Sequence, residues 1–582
     1  MNMMKQFRSS VSVLSTCAAL VCASVATAQQ HIDGKVDIPF NRYVDHNQLN
    51  EYLKQIAAAY PDLVTLKTIG HSQQGREMIV AIVNNPKSGA DTEKPAMWID
   101  GNVHGNEIQA AEVVVYSLWY MTKAYGVSKD MTELVDNYSF YYLPSQNPDG
   151  RQAWFDEVQT SSSSRWSRRP VDNDRDGLVD EDPPEDIDGD GSITQMWKKD
   201  PSGDWLRDEF DPRVFRRARL AEGEKGEWIR LGSEGIDTDG DGRINEDGPG
   251  GDDMNRSWPT AWQPEYVQNA ATIFPLADPE TRAVAEFILA HPNIAAGQSY
   301  HNAGGMILRG PGASWRNSEY PAQDRRVYDE IGRVGEILLP YYNYYIIYDD
   351  LYTVHGGFVN WLAEGLGIMS FTNEMMTNGR FFQREGQMDE ERSKLWRDRM
   401  AFGTTFKEYE EFDHPEYGKV LIGGPNRWSS RATPNFMLEE ECHRNFAFTM
   451  FHASHMPLLS FDRVEAKDMG GGLWQVTVEI RNEKLIPSRL AVARMRGIGT
   501  NDILTCEPSN GSVVTSGSIG RWIDTDFNAV RDEPGRIQLP GGIGGQSSEI
   551  YRFIVTGKKG DTVALKYTAE KAKNIETTVE LK

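Results

Sequence analysis

The chain has 582 residues, 39% hydrophobic, 25% charged and 10% aromatic, a balance that excludes a disordered, collagenous or disulfide-knotted protein. Its 61 Lys and Arg against 85 Asp and Glu give a net charge of −24, which would repel a phosphate backbone and argues against a nucleic-acid partner. The length suits several domains of roughly 100–200 residues each.

Residues 1–28 read as a secretory signal: Lys5 and Arg8, an apolar run from about Val11 to Val25, then the small-residue stretch Ala26-Thr27-Ala28. The run is too short and too rich in small residues for a membrane anchor, and no later stretch of about 18 apolar residues follows. A secreted protein, periplasmic or extracellular, is therefore expected. Cys17 and Cys22 would leave with the signal. Cys442 and Cys506 remain, and export would permit a bridge between them that the sequence does not decide.

Leu49, Tyr52, Leu53, Ile56 and Tyr60 recur at helical spacing ahead of Pro61. Strands are expected at Met78–Val83 and Ala96–Ile99, a helix over 108–124 and a strand at Tyr138–Leu143. After an acidic interruption the alternation resumes: a helix at about 280–290, a strand at 294–300, a helix at 324–338, a strand at 367–372 and a charged helix near 387–411. This predicts an α/β fold with a mixed β-sheet flanked by helices. From Leu458 to Lys582 the text changes to short alternating runs at Leu473–Ile480, Tyr551–Val555, Thr562–Tyr567 and Thr577–Leu581, separated by Gly-rich turns. A C-terminal β-sandwich accessory domain over 458–582 is expected.

The interruption, residues 171–250, carries 24 acidic and 11 basic residues. It holds three Asp-x-Asp-x-Asp-Gly runs: Asp172, Asp174, Asp176 before Gly177; Asp186, Asp188, Asp190 before Gly191; and Asp237, Asp239, Asp241 before Gly242. Alternate carboxylates before a glycine turn offer several hard oxygens to one cation, as calcium requires. The twelfth positions are Pro183, Trp197 and Gly248, so these are not EF-hands. Irregular calcium loops are expected, with Asp180, Asp182, Glu246 or Asp247 completing some shells.

Strand Ala96–Ile99 runs into Asp100-Gly101-Asn102-Val103-His104-Gly105-Asn106-Glu107, where a helix begins. An imidazole and a carboxylate three residues apart can face one zinc ion, which accepts both ligand types. Alone that spacing is weak, but strand Ile294–Tyr300 ends at His301, a possible third ligand. Strand Leu366–Phe371 leads to Glu374, a carboxylate that needs a task or a partner if buried. His452 and His455 lack an acidic partner in any recognisable pattern and read as core or surface residues.

Together these residues resemble the carboxypeptidase A-like zinc metallocarboxypeptidases, from about Tyr43 to Phe412. The resemblance implies one catalytic zinc on His104, Glu107 and His301, and Glu374 as general base. It implies Asn255 and Arg256 as the clamp on the substrate's terminal carboxylate, and Tyr352 as the mobile tyrosine, followed by Gly356, Gly357 and Trp361. Asn147-Pro148-Asp149-Gly150 is a further landmark. The family's carbonyl-polarising arginine has three candidates, Arg165, Arg168 and Arg169, of which Arg165 is favoured. Val359, seven residues after Tyr352, implies an apolar or aromatic C-terminal side chain. The expected domains are thus a signal at 1–28, a zinc carboxypeptidase domain at 29–457 with its insert at 171–250, and the β-sandwich. The expected activity is release of C-terminal residues from peptides or proteins. Cell-wall peptides or acylated amino acids are an alternative substrate class, and a catalytically dead calcium-dependent binding protein a third reading.

Overall fold

The structure is a computed structural model that describes residues 32–160, 162–386 and 388–582. The signal expected at 1–28 lies outside the described residues. In chain order the first strands are β1 (Val64–His71), β2 (Glu77–Val83), β3 (Ala96–Gly101) and β4 (Ser139–Leu143). The insert supplies β5 (Gln195–Lys199), β6 (Trp205–Arg207), β7 (Phe215–Arg217) and β8 (Trp228–Ser233). Then come β9 (Ile294–Asn302), β10 (Met306–Arg309), β11 (Asn343–Ile346), β12 (Met369–Met375), β13 (Phe406–His414) and β14 (Gly418–Pro425).

Eight of these form one mixed sheet in the order β1-β2-β4-β3-β9-β12-β10-β11. Its centre, β4, β3, β9 and β12, is parallel, so four strand ends meet at one edge. Burial explains the sequence of these strands: every residue of β3, β4 and β9 is buried, and such two-faced strands read as continuous apolar runs. Helices Gln109–Ala124 and Asn435–Ala453 pack on one face, with Val113, Val114, Leu438 and Phe448 in a core shared with Met97, Ile99 and Phe371. Helix Pro279–Leu289 covers the other face through Val284, Phe287 and Ile288, against Trp98 and Tyr141.

The insert is not a loose loop. Strands β5–β8 join β13 and β14 in a second sheet of order β13-β14-β5-β8-β6-β7. The seam is Leu421 against Trp197 and Ile422 against Met196, pairing two segments more than 200 residues apart. This corrects one expectation: the charged helix near 387–411 is shorter. Helix Glu390–Leu395 continues as a wider turn only to Met400, and Phe406–His414 is a strand.

From Leu459 the chain builds two sheets, five and four strands, around one core that includes Trp474, Val478 and Phe553 from the first and Leu504, Leu565 and Tyr567 from the second. This is a β-sandwich. It is fastened to the α/β part by Lys571 Nζ, which donates to Ile294 O at 2.7 Å, and by Asp324, which accepts from the Ala491 and Val492 amides at 2.9 and 2.8 Å. Cys442 and Cys506 are free and buried, one in a helix of the α/β core and one in the sandwich.

Candidate active site

The turn after β3 carries the first two candidate ligands. Asn102, in the left-handed region at φ 58°, donates through its side-chain amide to the carbonyls of His104, Gly105 and Glu107 at 2.7, 3.1 and 3.2 Å. One residue thus holds the whole turn. Gly105 has to be glycine, because a Cβ there would stand 2.2 Å from the Ser164 carbonyl. Its amide donates to Arg165 O at 3.2 Å, and the Asn147 side chain donates to Trp166 O at 2.9 Å. The Asn147–Gly150 turn therefore positions the segment that carries Arg165. Arg151, fully buried, locks the following helix in place by an ion pair with Glu112 at 2.7 Å and a bond to Ile108 O at 2.7 Å.

His104, Glu107 and His301 converge. Glu107 lies 2.9 Å from His104 Nδ1 through Oε1 and 3.0 Å from His301 Nδ1 through Oε2, and the two Nδ1 atoms are 3.2 Å apart. All three residues are buried, and they are grouped closely enough to hold one metal ion. Burial alone would raise the Glu107 carboxyl, but the two imidazoles outweigh it and hold it well below the usual range. His104 Nε2 faces Asp253 Oδ1 at 3.0 Å. A carboxylate there fixes the ring and its tautomer, leaving Nδ1 for a cation. Asp253 is itself kept ionised, its burial outweighed by His104, Arg256 and Arg165. Two imidazole nitrogens and a carboxylate, converging with Asp253 behind His104, fit a zinc ion.

Glu374 stands opposite His301 in the β9–β12 register, half-buried at the cavity wall. Burial first, and then the negative charge of Glu107, push its pKa up to about 7, against His301, Arg165 and Arg431. Of the three candidate arginines only Arg165 enters the cavity. Its Nη1 is 3.1 Å from Glu107 Oε1 and its Nη2 is 3.2 Å from Asp253 Oδ2. Arg168 pairs instead with Glu157 and Arg169 with Asp252.

Asn255 and Arg256 follow Asp253 in a single tight turn, and Arg256 is 7% exposed. Its Nη1 donates to Asn255 O at 2.8 Å, and Asn255 Oδ1 accepts from the Phe358 amide at 2.9 Å. Gly356 (φ 63°) is needed against this turn, because a Cβ would meet Arg256 O at 2.4 Å. Trp361 stacks on Trp258 at 4.8 Å behind it. Tyr352 is half exposed at the rim, and Val359 is buried with Leu308, Ile347 and Val354 in a small apolar cluster.

One cavity of about 240 Å³ is lined by His104, Glu107, Arg165, Asn255, Arg256, Tyr352, Val359 and Glu374, with His301 buried behind Glu107. Asp253 and Arg431 were silent in the sequence as site residues. Asp253 could have been found from its place beside Asn255-Arg256, but nothing local marks Arg431.

The nine loop aspartates lie on the insert and line no part of this cavity. In each loop the first Asp accepts from the glycine amide five residues on, at 3.1, 2.9 and 2.9 Å for Asp172, Asp186 and Asp237. Fully buried Asp247 groups with Asp172 and Asp174, and fully buried Asp182 with Asp239 and Glu246. Asp180 accepts instead from the Gly250 amide at 2.9 Å.

An α/β sheet whose parallel strand ends carry two histidines, a glutamate and an ionisable base defines a metal-dependent hydrolase. The zinc carboxypeptidase family model matches residues 49–197 and 229–398, and the chain belongs to that family. A second model, a domain of unknown function, matches residues 458–580. Similar proteins include carboxypeptidase B of Astacus astacus, 33% identical over 19% of this chain and 33% of its own. Carboxypeptidase D of Homo sapiens is 29% identical over 24% of this chain and 10% of its own. An inactive metallocarboxypeptidase of Saccharomyces cerevisiae is 29% identical over 22% and 29%. The chain thus aligns with a third or less of the length of each. Among solved structures, carboxypeptidase A from Helicoverpa armigera superposes with a TM-score of 0.45 at 14% identity, covering 75% of this chain and 78% of its own.

Proposed function

We propose that the protein is a zinc metallocarboxypeptidase that releases apolar or aromatic residues from the C-termini of peptides. The observation that carries this reading is the convergence on one cavity of the His104–Glu107–His301 trio, Glu374 and the buried Arg256 fork beside an apolar recess. When bound to the trio, zinc supplies a Lewis acid that polarises a carbonyl and acidifies water. Asn255 and Arg256 receive the terminal carboxylate, for which a planar guanidinium offers two parallel hydrogen bonds. Val359, Leu308, Ile347 and Val354 receive the terminal side chain. Glu374 takes the proton of the attacking water and returns it to the leaving amine, a task suited to a carboxyl near pH 7. Arg165, kept cationic by Asp253, Glu107 and Glu374 despite burial, donates to the oxygen that becomes negative.

The test is amino-acid release from N-blocked dipeptides ending in Phe, Leu, Lys or amidated Phe, together with metal analysis. Release of Phe and Leu ahead of Lys, none from the amide, and one zinc per chain are expected. Absence of release from every free acid by zinc-loaded protein overturns the reading.

We further propose that the insert's three loops hold calcium as a structural ion. Their repeated capping pattern and the buried carboxylates Asp247 and Asp182 support this. Export from the cytoplasm is proposed on the Lys5–Ala28 segment, and a mature N-terminus near Gln29 is its test.

A further inference from the structure

The stretch between β14 and helix Asn435–Ala453 lies beyond the residues matched by the family model, yet it sends one side chain into the cavity, Arg431. The stretch is firmly anchored. The Thr433 amide donates to Gln109 Oε1 at 3.1 Å, the Tyr43 hydroxyl donates to Thr433 O at 2.5 Å, and Arg427 Nη1 donates to Trp154 O at 2.6 Å. Arg431 Nη1 donates to Asn302 O at 3.1 Å and stands 3.4 Å from Glu107 Oε1. Its Nε and Nη2 have no hydrogen-bond partner among the described residues, and the side chain is 34% exposed, on the cavity.

This cation pairs with Glu107 but shares that carboxylate with other groups. Glu107 is already engaged by two imidazoles and by Arg165. Arg431 makes no hydrogen bond or ion pair to Asn255 or Arg256 among the described residues, and it approaches the trio from the side of Asn302. A substrate held by its terminal carboxylate on Arg256 would have its scissile bond beside the trio, and Arg431, which lines the same cavity 3.4 Å from Glu107, stands beside that point. A guanidinium with two unused N–H directions at that point is matched best by a carboxylate, which accepts a charge-assisted pair.

We propose that Arg431 is a specificity-determining residue that binds an acidic side chain on the substrate residue immediately before the scissile bond. The inference rests on the carboxypeptidase reading above. Three N-blocked dipeptides sharing a C-terminal Phe, with Glu, Gln or Lys before it, distinguish the two. For the parent enzyme kcat/KM is expected to favour Glu over Gln roughly tenfold, equivalent to about 1.4 kcal/mol. The preference should shrink as salt is raised, because the partner is half exposed. Arg431→Ala should bring kcat/KM for Glu and Gln within about twofold of each other at the parent's zinc content, with the larger loss on the Glu substrate; Arg431→Lys should restore part of the preference. Equal cleavage of Glu and Gln peptides by the parent overturns this inference and leaves the carboxypeptidase reading standing. A uniform loss on all three substrates, or loss of zinc, in Arg431→Ala also overturns it, assigning the residue to holding Glu107. Failure to cleave any of the three defeats both.

Discussion

Replacing Arg256 with Ala tests the proposed carboxylate clamp, the feature that would make the protein an exopeptidase. Arg256 is 7% exposed, and among the described residues its only close acceptor is Asn255 O, with Asp253 at 3.9 Å. A substrate carboxylate therefore meets a guanidinium already stripped of most of its water. Each charge-assisted hydrogen bond contributes about 1.5–3 kcal/mol, so losing a bidentate pair costs about 3–6 kcal/mol. That corresponds to a fall in kcat/KM of roughly a hundredfold to ten-thousandfold. Because the clamp touches the substrate before and during reaction alike, most of the loss should enter KM. Arg256→Lys keeps the charge but not the fork, and should recover only part of it. The assay is steady-state release of Phe from a blocked dipeptide beside its C-terminal amide, with zinc content measured in each variant. The amide, already poor, should not become worse. An equal proportional loss for acid and amide, at full zinc content, would refute the clamp.

Glu374→Gln should keep zinc and lose about 10²–10⁴-fold in kcat, the range expected when a positioned acid–base group is removed; near-parent turnover would remove Glu374 from the chemistry. His452 is fully buried, neither ring nitrogen has a hydrogen-bond partner among the described residues, and burial with a smaller push from His455 lowers its pKa from 6.5 to about 3. The unfolded chain then binds a proton below pH 6.5 that the folded chain refuses, so this contribution is whole above pH 6.5 and is lost progressively toward pH 3. His452→Leu should flatten that part of the stability profile measured by denaturant titration, and an unchanged slope counts against the assignment. Chelating calcium while zinc is retained should lower the melting temperature and open residues 171–250 to proteolysis. Identical melting and digestion with and without calcium would exclude a calcium scaffold.

The convergence of His104, Glu107, His301 and Glu374 was legible because each lies at or just beyond the end of a strand whose apolar run is unmistakable, and because the parallel centre of the sheet gathers those ends. Arg165 could be chosen over Arg168 and Arg169 only by resemblance; the structure supplies the physical reason, the Gly105 and Asn147 bonds to its segment. The second sheet was illegible. Its four strands in the insert are three to six residues long, and the seam that joins them to β14 spans more than 200 residues, so no local period announces the sheet. Residues 406–414 misled for a related reason: Lys407, Glu408, Glu410 and Glu411 look like a solvated helix face, whereas only Phe406 and His414 are buried in a strand at the sheet's rim. Arg431 belongs to a loop without periodicity. Its role depends on anchoring contacts at Gln109 and Tyr43 that no local pattern encodes.

The place where the β-sandwich is fastened has a consequence for what can reach the cavity. Lys571 grips β9 at Ile294, its first residue, whereas His301 lies near its last. At about 3.3 Å per residue those points are roughly 23 Å apart, at opposite ends of the same strand. No residue after Arg431 lines the cavity. The sandwich is thus attached at the end of β9 away from His301, and its residues form no part of the cavity wall. The cavity wall is therefore built by the α/β part alone, and a change in the sandwich's loops leaves every lining residue in place.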